Sequence, residues 1–278
     1  MIAAARRDRE FLADLEATAA EPSSLHAWWL GQSGFLVARG GERLLLDPYL
    51  SESLTAKYAG TATPHVRMTE RVVDPAELRG LAAVLASHHH TDHLDGETLR
   101  AVLAASPEAA LLVPAAHREL AAERTGLGAE RIVGMDDGVR AEVGGFRVEG
   151  VPAAHERIER DAEGRMVCLG YAVSVGPFRL YHAGDTVPYD GMAARIGPVD
   201  LALLPVNGRD PARGVAGNMD GVEAAELAAA LPARTAVPCH FEMFEFNTAS
   251  PESFLAACER LGVSAARLRA GERVSLAT

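Results

Sequence analysis

The chain has 278 residues, enough for one large domain with a buried core, and its 48% hydrophobic and 23% charged content is that of an ordinary globular protein. A balance of 27 basic against 38 acidic residues leaves a formal charge of −11, which argues against nucleic acid as a partner. Three scattered cysteines, Cys168, Cys239 and Cys258, form no disulfide framework, charges interrupt the N-terminus before any signal-peptide core, and no apolar run could span a bilayer, so the expectation is a cytoplasmic protein with no membrane partner.

Residues 3–20 read as a helix with Phe11, Leu12 and Leu15 on one face, stopped by Glu21-Pro22-Ser23-Ser24. Short strand-like runs follow at 25–29, 35–38 and 43–46, with glycines between them supplying turns. After Asp47-Pro48, residues 49–74 form a long polar stretch without periodicity, a length at which loops are often lids or binding loops. Residues 81–86 make a compact apolar strand that runs straight into Ser87-His-His-His-Thr-Asp-His-Leu-Asp95, and Asp95 is placed to cap a helix over 98–105. Strand signals then recur at 110–113, 139–143, 146–152, 167–175, 179–182, 201–205 and 235–238, with helices at 115–124, 221–230 and 251–261 and a final strand pair within 267–277. Each half passes from meandering strands to strand–helix alternation, which predicts two similar mixed sheets packed face to face with helices outside. No linker divides residues 1–278, so one domain is expected, with a helical extension over about residues 1–24.

The chemistry is concentrated in His88-His89-His90-Thr91-Asp92-His93, four candidate ligands in six residues. In an extended segment, side chains two apart point the same way, so His88 and His90 can aim at one ion while Asp92 and His93, past a turn, aim at a neighbouring position. Imidazole with carboxylate suits divalent transition metals. His155, Asp185 and His240 each end an apolar run; a lone histidine there is usually a packed residue, but with the first cluster they complete seven ligands, enough for two ions sharing a bridging carboxylate.

The pattern His-x-His-x-Asp-His, a distant His, Gly-Asp-Thr and a final His resembles the metallo-β-lactamase superfamily across nearly the whole chain. The resemblance implies an α/β, four-layer αββα sandwich of two mixed β-sheets flanked by helices, with metals at one edge. It implies that His88, His90 and His155 hold the first metal, that Asp92, His93 and His240 hold the second, that Asp185 bridges them, and that Asp47 supports the site from behind. Trp28-Trp29-Leu30-Gly31, Tyr181-His182-Ala183-Gly184-Asp185 and Arg213-Gly214 with Asn218-Met219 further resemble the L-ascorbate-6-phosphate lactonase group. That lactonase is longer, however, and differs at the positions of His155 and Phe241.

Other residues divide between roles. Alternation turns His89 away from the ligands, and a supporting or substrate-facing role for His182 stands level with a structural one. Cys239 reads as a small buried residue, and His26 and His117 carry no assignment. Arg209 and Arg213 flank a Gly/Pro loop and suit phosphate or carboxylate recognition, although either alone reads as a solvated loop charge; His65, Lys57, Tyr58 and Arg67 share that ambiguity. The expected cofactor is one or two divalent transition-metal ions, Zn or Mn first and Fe also compatible. The expected activity is hydrolysis by a metal-activated hydroxide, with Asp92 orienting the nucleophile and taking a proton. A lactone or ester of a small metabolite, with or without a phosphate, is the first substrate class. A phosphodiester is the second, and a non-catalytic metal-binding module is the alternative of a different kind. A small-molecule substrate is the expected partner, and a homo-oligomer is compatible with the sequence.

Overall fold

Side-chain alternation decides how the chain layers. The computed structural model describes all 278 residues, Met1–Thr278. Helix α1 (Asp8–Ala17) precedes β1 (Leu25–Gly31), β2 (Gly34–Arg39), β3 (Glu42–Leu46), α2 (Ser53–Lys57), β4 (Ala83–Leu85), α3 (Gly96–Ala105), β5 (Ala110–Pro114), α4 (Arg118–Thr125) and β6 (Ile132–Met135). The second half continues with β7 (Arg140–Val143), β8 (Phe146–Pro152), β9 (Ala154–His155), β10 (Arg157–Ile158), β11 (Leu169–Val175), β12 (Phe178–His182), α5 (Met192–Ile196), β13 (Leu201–Pro205), α6 (Gly221–Ala230), β14 (Thr235–Cys239), α7 (Glu252–Leu261) and β15 (Arg273–Leu276).

All seven residues of β1 are buried. Leu25, Ala27 and Trp29 face a core of 47 residues that both sheets share, while Trp28 and Leu30 face a second cluster of 24 residues. A strand apolar on both sides belongs to a sheet covered on both sides. Phe11 and Leu15 of α1 and Leu99, Val102 and Leu103 of α3 cover the outer face of the first sheet. Phe11 meets Trp28 edge-on at 6.4 Å, and Trp28 Nε1 donates to Asp14. On the far side, α6 and α7 lay Ala224, Ala228, Phe254 and Ala257 against the second sheet. Asp220 caps α6 by accepting from the amides of Val222 and Glu223 while Glu223 reaches back to the Asp220 amide.

The seven-stranded sheet has the order β15-β1-β2-β3-β4-β5-β6 and the six-stranded sheet the order β14-β13-β12-β11-β8-β7. In each, an antiparallel meander passes into parallel strands, at β3/β4 in one and at β12/β13 in the other. This is the expected αββα sandwich.

The helix expected over 3–20 is shorter, because Ile2 is tied in extended form beside Thr69 and Arg7 is extended at the N-cap. The long stretch 49–74 contains α2 and pairs back onto the fold at Thr69 and Arg67. Strand β6 was not foreseen, as Gly134 interrupts its apolar pattern; it pairs with β5 at the sheet edge. Only Arg273–Leu276 of the expected final pair forms a strand, on β1, while Ala265 makes one bridge to Ala236.

Trp29 joins the two layers: its ring stacks on Phe241 at 4.5 Å and its Nε1 donates to the Gln32 carbonyl at 2.8 Å. Trp29→Ala should therefore lower unfolding free energy by about 3–5 kcal/mol, read by urea titration. A loss below about 1 kcal/mol would mean that this contact does not hold the sheets together.

Candidate metal centre

The C-terminal ends of parallel strands deliver the site, which is where open α/β sheets place their ligands. Asp47 follows β3, residues 87–93 follow β4, Asp185 follows β12 and His240 follows β14, while His155 ends β9. Three non-glycine residues here hold left-handed backbone: Gln32 at φ +51, Asp47 at φ +40 and His240 at φ +60. Such conformations cost about 1–3 kcal/mol each and persist where the surroundings over-determine them.

The ligand atoms of His88, His90 and His155 lie within 4.8 Å of one another, as do those of His88, His93 and Asp185 and those of Asp92, His93 and His240. Asp185 spans the groups: Oδ1 is 3.3 Å from His93 Nε2, and Oδ2 is 3.3 Å from His240 Nε2 and 3.9 Å from His155 Nε2. The Gly-Asp-Thr motif has a physical account. A Cβ on Gly184 would stand 2.6 Å from Ser87 Cβ, so only glycine lets this turn close on the histidine loop. Thr186 Oγ1 accepts from the Ala154 amide and the Val187 amide donates to the Ala154 carbonyl, fixing the residue before His155.

Asp47 organises the rear of the site. It is fully buried, and its Oδ2 accepts from Ser87 Oγ at 2.6 Å, His93 Nδ1 at 2.7 Å and His182 Nε2 at 2.9 Å, while Oδ1 accepts from the Ser87 amide at 2.7 Å. Ser87 Oγ in turn accepts from His88 Nδ1 at 3.0 Å. The bond to Ser87 fixes the His88 tautomer so that its Nε2 faces the centre as a lone pair, and the bond to Asp47 turns His93 Nε2 toward the same space. Burial opposes ionisation of Asp47, but His93 and His182 outweigh it and hold the carboxyl well below its ordinary range.

The residues fit divalent transition-metal ions. His88 Nε2, His93 Nε2 and Asp185 Oδ1 are buried and convergent with no hydrogen-bond partner, a costly arrangement unless a Lewis acid meets them. Burial holds His88 well below its ordinary pKa and lowers that of His90, so both offer lone pairs. His93 and His240 go the other way: burial opposes their protonation, but Asp185 above all and Asp92 after it raise them. Burial is likewise outweighed at Asp92 and Asp185, whose carboxyls lie below their ordinary values beside these histidines. A divalent cation would take the place of the protons on His93 and His240.

Above the ligands opens a cleft of about 400 Å³, to which His90, Asp92, His155, Asp185 and His240 all contribute. One wall is aromatic: Tyr58 stacks on His65 at 4.2 Å, and His65 meets Phe244 at 5.0 Å and Phe246 at 4.5 Å. Lys57 lies at this wall, 5.1 Å from the Tyr58 ring, whereas Arg67 is buried beneath it, donating to the Ser51 carbonyl and paired with Glu52.

Arg209 and Arg213 do not line the cleft. Arg209 is paired with Glu223 and donates to the Asn218 carbonyl, and Arg213 donates to the carbonyls of Asn207 and Thr248, so both guanidiniums hold their own loop. His182 does not ligate; it supports Asp47. His89 packs against His117, which donates to the Val167 carbonyl, and His26 bonds Ser275. Cys239 is buried, and burial raises its thiol well above its ordinary pKa.

Three contributors were not foreseen. Gln32 Nε2 donates to Asp92 Oδ2 at 2.7 Å and lies 3.2 Å from His240 Nε2. Ser87 links Asp47 to His88, and its place just before the histidine run was a readable signal. Arg124 Nη1 donates to the carbonyls of His89 at 2.6 Å and Leu94 at 2.9 Å, bracketing the ligand loop.

Known proteins resemble this chain in sequence and in fold. The domain described as the β-lactamase superfamily domain matches residues 42–241. A UPF0173 metal-dependent hydrolase of Rubrobacter xylanophilus is 30% identical over 244 residues, covering 84% of this chain and 89% of that protein. Another, from Opitutus terrae, is 32% identical over 254 residues, covering 89% and 98%. The chain therefore belongs to the metallo-β-lactamase superfamily and, within it, to the UPF0173 metal-dependent hydrolases. The crystal structure of an isothiocyanate hydrolase from Delia radicum gut bacteria shares the fold, with a TM-score of 0.71 at 18% identity over 91% of this chain and 99% of that one.

Asp185→Asn should remove the shared carboxylate and lower bound metal, measured by elemental analysis after dialysis, as should His90→Ala; undiminished metal content in both would refute the ligand assignment.

The histidines also set a pH window. Burial first, then His90, His117 and Arg124, pushes His89 down to about 4 from its ordinary 6.5. The unfolded chain thus binds protons that the folded chain refuses, and His88 and His90 act in the same sense. His93 and His240 are raised, so their contribution reaches its full value as pH falls below the unfolded histidine value of 6.5 and adds no loss there. The urea midpoint of the metal-free protein should fall from pH 6.5 to about 4, less steeply in His89→Asn; a flat midpoint would contradict the burial argument.

Proposed function

We propose that this protein hydrolyses a lactone or carboxylic ester of a small metabolite at the metal centre. The observation that carries this reading is the joining of an unblocked ligand cluster to a cleft of about 400 Å³ with an aromatic wall, a size suited to a small molecule. Metal ions bound there supply Lewis acidity and lower the pKa of water toward neutrality. His88, His90, His155, Asp92, His93, His240 and Asp185 are the residues that would hold them.

Asp92 does the proton work. Gln32 pins its Oδ2, and its Oδ1 makes no hydrogen bond to the protein, so one oxygen is fixed and the other is available at the cleft. The carboxyl lies below its ordinary range and is ionised at neutral pH. It accepts a hydrogen bond from the attacking water, takes its proton as the oxygen adds to the carbonyl carbon, and returns that proton to the departing alkoxide as the acyl C–O bond breaks. Tyr58, His65, Phe244 and Phe246 exclude water from one side and pack the carbon skeleton of the substrate.

The test is acid release at neutral pH by the Zn- or Mn-loaded protein, offered sugar lactones, aryl esters and cyclic or linear phosphodiesters in parallel. Turnover of lactones or esters, abolished by chelation and in His90→Ala, is expected. Turnover of phosphodiesters alone would replace this reading with phosphodiester hydrolysis on the same ligands.

A further inference from the structure

We propose that Arg124 is the specificity-determining anion seat of the cleft, so that the substrate carries, besides its scissile acyl group, a carboxylate or phosphate group held by this guanidinium. The inference rests on the hydrolase reading of the same site and names its substrate class. Arg124 is half-buried in the cleft wall beside His89, His90 and Thr91. Its structural duties use one nitrogen: Nη1 donates to the carbonyls of His89 and Leu94, while Nε and Nη2 have no protein acceptor. No carboxylate pairs with it. Burial lowers its pKa, and Asp95 and Glu123 oppose that only at a distance.

An unpaired, partly desolvated cation is costly unless something compensates it. Two carbonyl oxygens compensate in part. The remaining edge of the guanidinium presents adjacent N–H donors, a geometry that matches carboxylate and phosphate oxygens two at a time. The location favours a substrate over a structural partner, because the group borders the same space as Asp92, Asp185 and His240. Arg39, Arg131 and Arg213 are also half-buried without a carboxylate partner, but Arg124 alone among the arginines lines this cleft. Lys57, the chain's single lysine, lies exposed at the aromatic wall, where it adds positive potential in a protein of formal charge −11. One end of an anionic ester would thus face the metal ligands and the other Arg124.

The test uses unreactive probes, so it does not depend on turnover. Calorimetry on the Zn-loaded protein compares butyrate, whose single carboxylate can meet the metal centre, with glutarate and 4-phosphonobutyrate, which carry a second anion. Wild type should bind glutarate or the phosphonate at least about tenfold more tightly than butyrate, the range of a hydrogen bond between charged groups, and the larger gain identifies carboxylate or phosphate. Arg124→Gln should abolish that preference, read as the ratio of glutarate or phosphonate affinity to butyrate affinity in the same Zn-loaded variant. If the glutamine variant loses metal, Arg124→Lys, which retains the charge without the fork, must still show a reduced preference. Equal binding of the three probes by wild type, or an unchanged preference in the variants, overturns the anion seat. Absence of ester and lactone turnover with the preference intact would instead overturn the reaction reading alone.

Discussion

The structure depends on one buried carboxylate. Asp47 follows β3 of the first sheet, His182 ends β12 in the second, and the bond between them joins the two sheets at the edge where the candidate metal ligands gather. The same carboxylate takes the Ser87 hydroxyl and amide and the His93 ring, so the fold's seam and the ligand loop share a fastening. A buried carboxylate is tolerable only when its lone pairs are filled and positive charge lies close, and four hydrogen bonds, two from histidines, meet both conditions. The site is therefore built into the sheet packing, and the left-handed backbone at Asp47 itself is held by that packing.

This explains what could be read from the sequence. The candidate ligands stood out because four of them occupy six consecutive residues at a strand end, where local geometry alone decides direction, and because His155, Asp185 and His240 each lie at or just past the end of a strand. The sandwich was legible because both halves repeat one pattern, a meander that turns into parallel strands. What stayed hidden is long-range. Gln32 reaches Asp92 across sixty positions of sequence and Arg124 reaches Leu94 across thirty, and no local pattern announces either contact. The aromatic wall joins α2 and residues 58–65 to Phe244 and Phe246, segments that meet only in the folded chain.

Arginines show the limit most clearly. On sequence, Arg209 and Arg213 had the attraction of a glycine-rich loop, yet their guanidiniums are consumed by Glu223 and by backbone carbonyls. Arg124 sits in the last turn of an unremarkable helix, where a cation is already favoured by the helix dipole, so its sequence context suggested nothing. Whether a charge is spent or free is a property of its three-dimensional partners, and composition cannot report it.

The two halves of the metal centre are electrostatically unlike. His88, His90 and His155 present imidazoles, and burial keeps His88 and His90 neutral. Asp92, His93 and His240 share their pocket with Asp185, and there the carboxylates draw protons onto the two imidazoles. A cation in the first group would meet imidazole lone pairs, while one in the second would compete with protons on His93 and His240. Asp185 links these regimes, since one of its oxygens faces His93 and the other faces His240 and His155. Neutralising either half thus changes the charge that the other half feels. With Asp92 Oδ2 pinned by the buried Gln32 and His93 pinned by Asp47 behind, this coupling acts through side chains whose positions are already set, so it alters charge at the centre without requiring the fold to move.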